Sequence, residues 1–225
     1  MKSDETTAFV PYNPPCYSDS EMLEKSANFF RLMNGRRSVR DFSDRDVPEE
    51  VIQNIVKTAG TAPSGAHKQP WQFCIVRNKD LKHQIRLLAE EEEKINYSGR
   101  MSERWIKDLE PFGTNPIKEF IDIAPWIIIV LKKTWDFDEN GQQTQNYYVN
   151  ESVGIACGFL IAAIHNAGLV TLTHTPSPMN FIAKALKRPE NEKPFLLLPV
   201  GYPAANCMVP NLVRKPLEDI AINFM

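Results

Sequence analysis

Residues 35–42 read GRRSVRDF, which places Arg36, Arg37 and Arg40 around Ser38. Guanidinium groups so close together in the chain repel one another unless water or an anion separates them. The segment is therefore either a solvated basic loop or part of an anion-binding site. Arginine side chains bind phosphate oxygens through paired hydrogen bonds, so a phosphate group suits this cluster best. No GxGxxG motif or P-loop occurs in the sequence, so arginines rather than glycine-rich loops would bind it.

The composition limits the size of that anion. The chain has 225 residues with a formal net charge of -2, and 43% of its residues are hydrophobic. This length allows one compact domain with a sizeable core, or two small domains. A net charge near zero argues against nucleic-acid binding, which needs an extended basic face, so no nucleic-acid partner is expected. We expect a small anion instead, and Arg214 in the C-terminal tail is a second basic position that could contact it.

Cysteine usage and hydropathy favour a cytoplasmic protein. The four cysteines are far apart and show no CxxC or Cys/His spacing, so neither disulfides nor a metal site is expected. No secretion signal opens the sequence. The most apolar run, residues 153–164, has only 12 residues and is too short to span a bilayer. The sequence would look the same if a membrane anchor preceded it in a longer chain.

Hydrophobic periodicity predicts alternating helices and strands after an irregular N-terminal arm, residues 1–19. Residues 20–225 are expected to form a single domain. The alternation favours three layers, in which helices flank a central sheet. The predicted helices are 20–35 with Ser20 as N-cap, 47–60, 79–95, 117–124, 143–168 and a short helix after 176; the predicted strands are 72–77, 126–133, 169–175 and 195–203.

The helix predicted at 143–168 is apolar on nearly every side in its second half. Gly154, Gly158 and Ala162 keep its surface flat. A helix of this kind must be covered all round. Either the core of the same chain or a second subunit covers it.

The segment 96–116 shows no clear periodicity, which is typical of lids and of disordered loops. Beside it, Glu93 and Tyr97 are four residues apart and share a face if the preceding helix extends that far. Lys118 opens the next helix. A glutamate, a tyrosine and a lysine together match the charges of an amino-acid zwitterion. The alternative is that the four consecutive glutamates that include Glu93 form a solvated helix face.

The chain resembles the FMN-dependent nitroreductase superfamily in four stretches: RRSVRDF, PSGAHKQPW, NAGLVTLTHTP, and LLLPVGYP followed by RKPLEDI. This resemblance covers roughly residues 20–225. The stretches EEEEKINY and TNPIKEF, with Trp105 between them, are similar to the branch that removes iodide reductively from mono- and diiodotyrosine. The resemblance implies an α+β, three-layer fold with a mixed central sheet flanked by helices. It further implies an obligate homodimer with exchanged terminal segments, and an active-site lid at about 93–118.

The resemblance implies FMN as the cofactor. Thr175 would be catalytic, with its hydroxyl at flavin N5, where it favours one-electron transfer over hydride transfer. Between Thr173 and Thr175, vertebrate relatives carry a threonine; this chain has His174, whose role stays open. The implied FMN contacts are Arg36, Arg37, Ser38, Arg40, Pro63, Ser64, Gly65, Thr173, Thr175 and Arg214.

The resemblance also implies a halotyrosine substrate. Its phenolate would meet the backbone N–H of Ala66, and Trp105 would either cap its ring or pack within the lid. Glu93, Tyr97 and Lys118 would bind its zwitterion. The electrons would come from a separate NAD(P)H-dependent reductase. Two alternatives are an NAD(P)H-dependent nitroreductase or quinone reductase, and a non-catalytic flavin-binding protein; neither the preferred halogen nor the electron donor follows from the sequence.

Overall fold

The computed structural model describes residues 9–225. They form two compact units, the first ending at Gly35 and the second spanning Arg36–Met225. The predicted arm lies outside the described residues as far as position 8, and residues 9–18 form no helix or strand. The prediction of a single domain at 20–225 stays a prediction.

The first unit contains one helix, α1, at Asp19–Gly35. Its cap is Ser18 and not the predicted Ser20. The Ser18 hydroxyl accepts from the backbone N–H of Glu21 at 3.4 Å, and the Glu21 carboxylate accepts from the Ser18 backbone at 2.8 Å. This reciprocal pair is a capping box, and the S-x-x-E pattern that specifies it begins at Ser18.

The second unit alternates helices and strands. The prediction of β2 is confirmed from end to end, and so is that of α3. The helices are α2 (Glu49–Gly60), α3 (Lys79–Ile95), α4 (Glu103–Leu109), α5 (Phe120–Ile123), α6 (Val149–Asn166) and α7 (Asn180–Ala185); the strands are β1 (Trp71–Val76), β2 (Trp126–Lys133), β3 (Trp135–Phe137), β4 (Gln143–Gln145), β5 (Val170–Thr171) and β6 (Glu192–Gly201). None of the helices within residues 9–225 is long and apolar enough to cross a membrane.

Three predicted elements are clearly shorter than expected, and one of them, the helix predicted at 117–124, spans only Phe120–Ile123. The helix predicted from 143 begins at Val149, because residues 143–145 instead pair with β3 in a two-stranded hairpin. The strand predicted at 169–175 is regular only at Val170–Thr171, and it continues as a single bridge between His174 and Leu197.

The central sheet has the strand order β1-β2-β6-β5, and its ladders are antiparallel. Its mixed character rests on one isolated parallel bridge between Ser38 and Thr171. Strand β2 is buried from Trp126 to Leu131, as expected of a strand that is covered on both faces. The predicted α+β fold is confirmed.

Alternate residues of β2 face two separate cores. Ile128 and Val130 pack in a cluster with residues of α2 and α6. Ile127 and Ile129 pack in the opposite cluster, with residues of α3, α5 and α7. The alternation of side chains along a strand therefore produces the predicted three layers.

Helix α6 is covered by its own chain on one side. Val153 and Leu160 are fully buried in the core with α2. On the other side, Ile155 is 43% exposed and Phe159 is 39% exposed. The core of this chain therefore accounts for only part of the cover that such an apolar helix needs.

Candidate active site

The arginine segment is fixed along the edge of the central sheet. The backbone N–H of Val39 donates to the carbonyl of Thr171 at 3.1 Å, and Ser43 donates to Tyr202 at 2.9 Å. Val39 and Phe42 are buried, at 4% and 5% exposed. These apolar anchors hold the backbone of the segment, while the side chains of Arg36, Arg37 and Arg40 stay partly exposed.

Arginines from distant parts of the chain meet at this edge. A guanidinium N–H of Arg214 donates to the carbonyl of Arg36 at 2.7 Å. Arg37 donates to the carbonyl of Pro210, which ties the C-terminal tail to the same segment. Burial lowers the pKa of Arg36, and the positive charges of Arg214 and Arg37 lower it further. An anion bound between these charges would relieve their mutual repulsion.

An open cleft of about 720 Å³ begins beside the cluster. Its walls include Ser38, Arg40, Asn115 and Lys118. Burial lowers the pKa of Arg40, against the opposing effects of Tyr97 and Asp41. One cavity therefore brings together part of the predicted cofactor site and part of the predicted substrate site.

Of the three residues predicted to bind a zwitterion, Lys118 lines this cleft, and Glu93 and Tyr97 contact its lining residues Lys118 and Thr114. Glu93 and Lys118 are 9% and 6% exposed, and their carboxylate and ammonium are 3.1 Å apart. Lys118 also donates to the carbonyl of Asn115. The Tyr97 hydroxyl is 2.9 Å from the hydroxyl of Thr114. Because Glu93 is buried and paired, a solvated helix face does not describe it.

The lid predicted without regular structure contains several short helical turns. Helix α3 continues into a π-helical turn at Asn96–Arg100, α4 follows, and a 3-10 turn spans Glu110–Phe112. Elements of three to seven residues are too short for hydrophobic periodicity to reveal. Trp105 lies on α4, is 54% exposed and is not part of the cleft wall.

The threonines after β5 alternate with buried residues. Thr173 and Thr175 are exposed, whereas His174 between them is 8% exposed. The backbone of His174 pairs with Leu197 through hydrogen bonds of 2.9 and 3.0 Å. His174 therefore faces the core, and both threonine hydroxyls lie on the opposite side of the chain.

His174 is held as a neutral imidazole. Its ring packs edge-on against Phe120, with the ring centroids 5.5 Å apart. Burial lowers the pKa of His174 to about 3, and the charges of Lys118 and Arg40 contribute. Its Nε2 atom is buried and has no hydrogen-bond partner among the described residues.

The predicted flavin loop, residues 63–66, lies at the start of α6 and not in the cleft wall. A Cβ at Gly65 would lie 2.8 Å from the Tyr148 ring, so any larger residue there would require that ring to move. The Ser64 hydroxyl accepts from the backbone of Gln69 at 2.9 Å. Ala66 has φ 46°, a left-handed conformation that non-glycine residues rarely adopt and that clusters at binding sites.

Sequence reasoning did not identify Glu90 and Arg86, which form a chain of hydrogen bonds to the backbone of Lys118. The Glu90 carboxylate accepts from the backbone N–H of Lys118 at 2.8 Å, and Arg86 donates to it at 2.7 Å. The available signal was the spacing of three residues between Glu90 and Glu93, which puts both on one helix face.

Comparison with known proteins agrees with this geometry. The sequence profile described as the Nitroreductase family matches residues 33–202. The chain belongs to the nitroreductase family. Within this family it is 60% identical over 215 residues to an iodotyrosine deiodinase of Haliscomenobacter hydrossis, covering 96% of this chain and 97% of that one. It is 48% identical over 223 residues to iodotyrosine deiodinase 1 of Homo sapiens, covering 99% of this chain and 77% of the human one.

A solved structure of the nitroreductase family has the same fold. It is an oxidised iodotyrosine deiodinase bound to FMN and 3-iodo-L-tyrosine, with a TM-score of 0.75 and 30% sequence identity. The match covers 84% of this chain and 95% of that one. The resemblance to the iodide-removing branch of the family is confirmed.

Proposed function

We propose that this chain is an FMN-dependent reductive dehalogenase of halotyrosines, which converts mono- and diiodotyrosine to tyrosine and iodide. Relatives named iodotyrosine deiodinase match almost its whole length. The observation that carries the proposal is the buried Glu93–Lys118 ion pair, whose lysine lines the same cleft as Arg40. That arrangement offers one charged group for each end of an amino acid, beside a basic site for a cofactor phosphate.

The arginine cluster fits the phosphate of FMN. Arg36 is flanked by two further guanidinium groups that lower its pKa, and a phosphate dianion would relieve that repulsion. Bound FMN supplies the electrons, which it can transfer singly. We assign the cofactor contacts to Arg36, Arg37, Ser38, Arg40, Pro63, Ser64, Gly65, Thr173, Thr175 and Arg214. Thr175 would donate its hydroxyl proton in a hydrogen bond to flavin N5.

The substrate would replace one internal ion pair with two new ones. Glu93 would take the ammonium of the halotyrosine and Lys118 its carboxylate, with the Tyr97 hydroxyl bonding either group. Because the zwitterion and the Glu93–Lys118 pair are both neutral, this exchange buries no additional net charge. Burying the charged groups of the substrate is costly unless Glu93, Tyr97 and Lys118 are all positioned to bind them. We therefore expect substrate binding to order the lid.

The reacting ring would lie farther into the site. The backbone N–H of Ala66 would donate to the phenolate oxygen, which favours the charged form of the ring. Trp105 is exposed on α4 in the described chain, so it would cover the ring only after the lid moves. Closing the lid would exclude water from the buried phenolate.

Three observations support a homodimer as the working form. Helix α6 exposes Ile155 and Phe159, and the flavin loop lies at the start of that helix and away from the cleft. The tail beyond Pro210 is exposed, including Val213 at 96% and Phe224 at 92%. A second copy with exchanged terminal segments would cover these surfaces and bring its own loop to the flavin.

The remaining partners follow from the sequence. We propose a separate NAD(P)H-dependent reductase as the electron donor, because the chain carries no dinucleotide fingerprint. The cytoplasmic location stays a prediction from cysteine usage; the four cysteines are unpaired.

Turnover assays distinguish the dehalogenase from a nitroreductase and from a non-catalytic flavoprotein. Purified protein loaded with FMN and reduced by dithionite should release iodide from 3-iodotyrosine in equal amounts with tyrosine. A nitroreductase would instead reduce a nitroaromatic with NAD(P)H and release no iodide. A non-catalytic flavoprotein would hold a flavin that neither substrate reoxidises.

A further inference from the structure

The four consecutive glutamates of α3 are in different environments. Glu90 and Glu93 are 6% and 9% exposed and continue the buried face of the helix. Glu91 is exposed, and Glu92 is bonded at 2.9 Å to Arg100. Two buried carboxylates on one face demand partners, because an unpaired buried charge is strongly unfavourable.

Both carboxylates contact Lys118. The Glu93 carboxylate lies 3.1 Å from the ammonium of Lys118, and the Glu90 carboxylate accepts from the backbone N–H of Lys118 at 2.8 Å. Helix α3 therefore holds Lys118 twice, once by its side chain and once by its backbone.

The charge of Glu90 is already neutralised within the protein. Arg86 donates to the Glu90 carboxylate at 2.7 Å and to the Asp122 carboxylate at 2.9 Å. Burial raises the pKa of Glu90, but the hydrogen bonds from Lys118 and Arg86 outweigh it, so the pKa is lowered. Glu90 is consequently ionised and committed to Arg86, and it does not compete for the ammonium of a substrate.

We propose that Glu90 is a positioning residue that keeps the backbone of Lys118 fixed while the Lys118 side chain exchanges Glu93 for the substrate carboxylate. The proposal rests on the proposed function, since it concerns the same zwitterion site. The Glu93–Lys118 contact must open when a zwitterion enters, whereas the Glu90 contact to the backbone does not need to. Lys118 also lies at the end of the predicted lid, so the contact with Glu90 would anchor that end.

Two ligands test this role. 3-Iodotyrosine carries the zwitterion, and 2-iodophenol carries the same ring without it. The variant Glu90→Ala removes the acceptor and leaves the Lys118 N–H unpaired, so its dissociation constant for 3-iodotyrosine should rise about tenfold or more. Its dissociation constant for 2-iodophenol should stay within about twofold of the wild-type value, and it should retain FMN.

Matched variants separate positioning from general destabilisation. Glu90→Gln keeps an acceptor oxygen and should recover most of the affinity for 3-iodotyrosine. Glu91→Ala changes an exposed neighbour and should bind both ligands as the wild type does. Equal losses for the two ligands in Glu90→Ala, or no loss for either, would overturn the positioning role. Failure of the wild-type protein to bind 3-iodotyrosine would instead overturn the proposed function, and this proposal with it.

An exchange measurement needs no variant. The backbone N–H of Lys118 in the wild-type protein with FMN should exchange slowly with deuterium, both with and without 3-iodotyrosine. Rapid exchange in either state would contradict a contact that persists through binding.

Discussion

At the scale of residues, the buried ion pair between Glu93 and Lys118 is central to the proposed site. Glu93 and Lys118 are buried beside the cleft and satisfy each other in the ligand-free chain. Removing one partner of a buried ion pair leaves the other charge uncompensated, which typically costs about 3–5 kcal/mol. Substitutions at this pair should therefore affect both stability and substrate binding.

The variant Glu93→Gln tests the zwitterion site directly. It removes the charge that would bind the substrate ammonium while keeping the shape of the side chain, so the dissociation constant for 3-iodotyrosine should rise roughly 10- to 100-fold. FMN content, measured by absorbance, should not change. Glu91→Gln, at an exposed position of the same helix, is the control. An unchanged affinity in Glu93→Gln would refute the assignment.

His174 predicts a specific dependence of stability on pH. Its pKa is lowered from 6.5 to about 3 in the folded protein. Between those values the unfolded chain binds a proton that the native protein does not, so stability is complete above pH 6.5 and falls as the pH is lowered. Between pH 6.5 and pH 5 the loss from this residue should be roughly 1.5 kcal/mol in the free energy of unfolding.

Urea unfolding of matched variants measures that loss. His174→Gln should remove this part of the pH dependence, whereas His67→Gln, at an exposed histidine, should retain it. Identical pH profiles for the wild type and His174→Gln would mean that His174 is not held neutral by the fold.

At the residue scale, the sequence was most informative where residues of one charge lie close together in the chain. The arginine cluster at 36–40 was visible because its charges are adjacent in the chain. The hydrogen bond from the Lys118 backbone to Glu90 was not visible, because hydrogen bonds across 28 residues leave no trace in local spacing. The burial of His174 depends on its neighbours across the sheet, which the sequence alone could not supply.

At the scale of elements, predictions held where an apolar pattern was long. The eight residues of β2 and the 17 residues of α3 give unambiguous patterns, and both were predicted from end to end. The hairpin of β3 and β4 was missed, because each strand has three residues and a partly exposed face. Because this hairpin was not predicted, the predicted start of α6 lay six residues before the observed start.

Helix α6 provides a test of the proposed dimer. A Cβ at Gly158 would meet no atom of its own chain within 4 Å, so the chain itself does not require glycine there. Leucine is a better helix former than glycine by about 0.5–1 kcal/mol. The variant Gly158→Leu should therefore fold as a single chain but separate the subunits and lose FMN.

Sedimentation measures the outcome for α6. Gln84→Leu, which adds an exposed leucine on α3, is the control and should stay dimeric with FMN bound. A Gly158→Leu protein that remains a dimer and keeps its flavin would show that α6 is not the interface.

At the scale of the whole molecule, the three layers carry different groups of candidate functional residues. The layer with α3 and α5 carries the Glu93–Lys118 ion pair, and the sheet edge carries the arginine cluster. The opposite layer carries α6 with its exposed apolar face. The sequence predicted these layers, but the separation of residues 63–66 from the cleft emerged only from the fold.

The central claim is that one cleft holds FMN and a halotyrosine together. The most direct test is a titration of the purified, FMN-loaded protein with 3-iodotyrosine, followed by flavin fluorescence. Stacking of the halogenated ring on the flavin should quench the fluorescence in a saturable manner, with one ligand bound per flavin. Fluorescence that stays constant across the titration, or protein that takes up no FMN, would contradict the account.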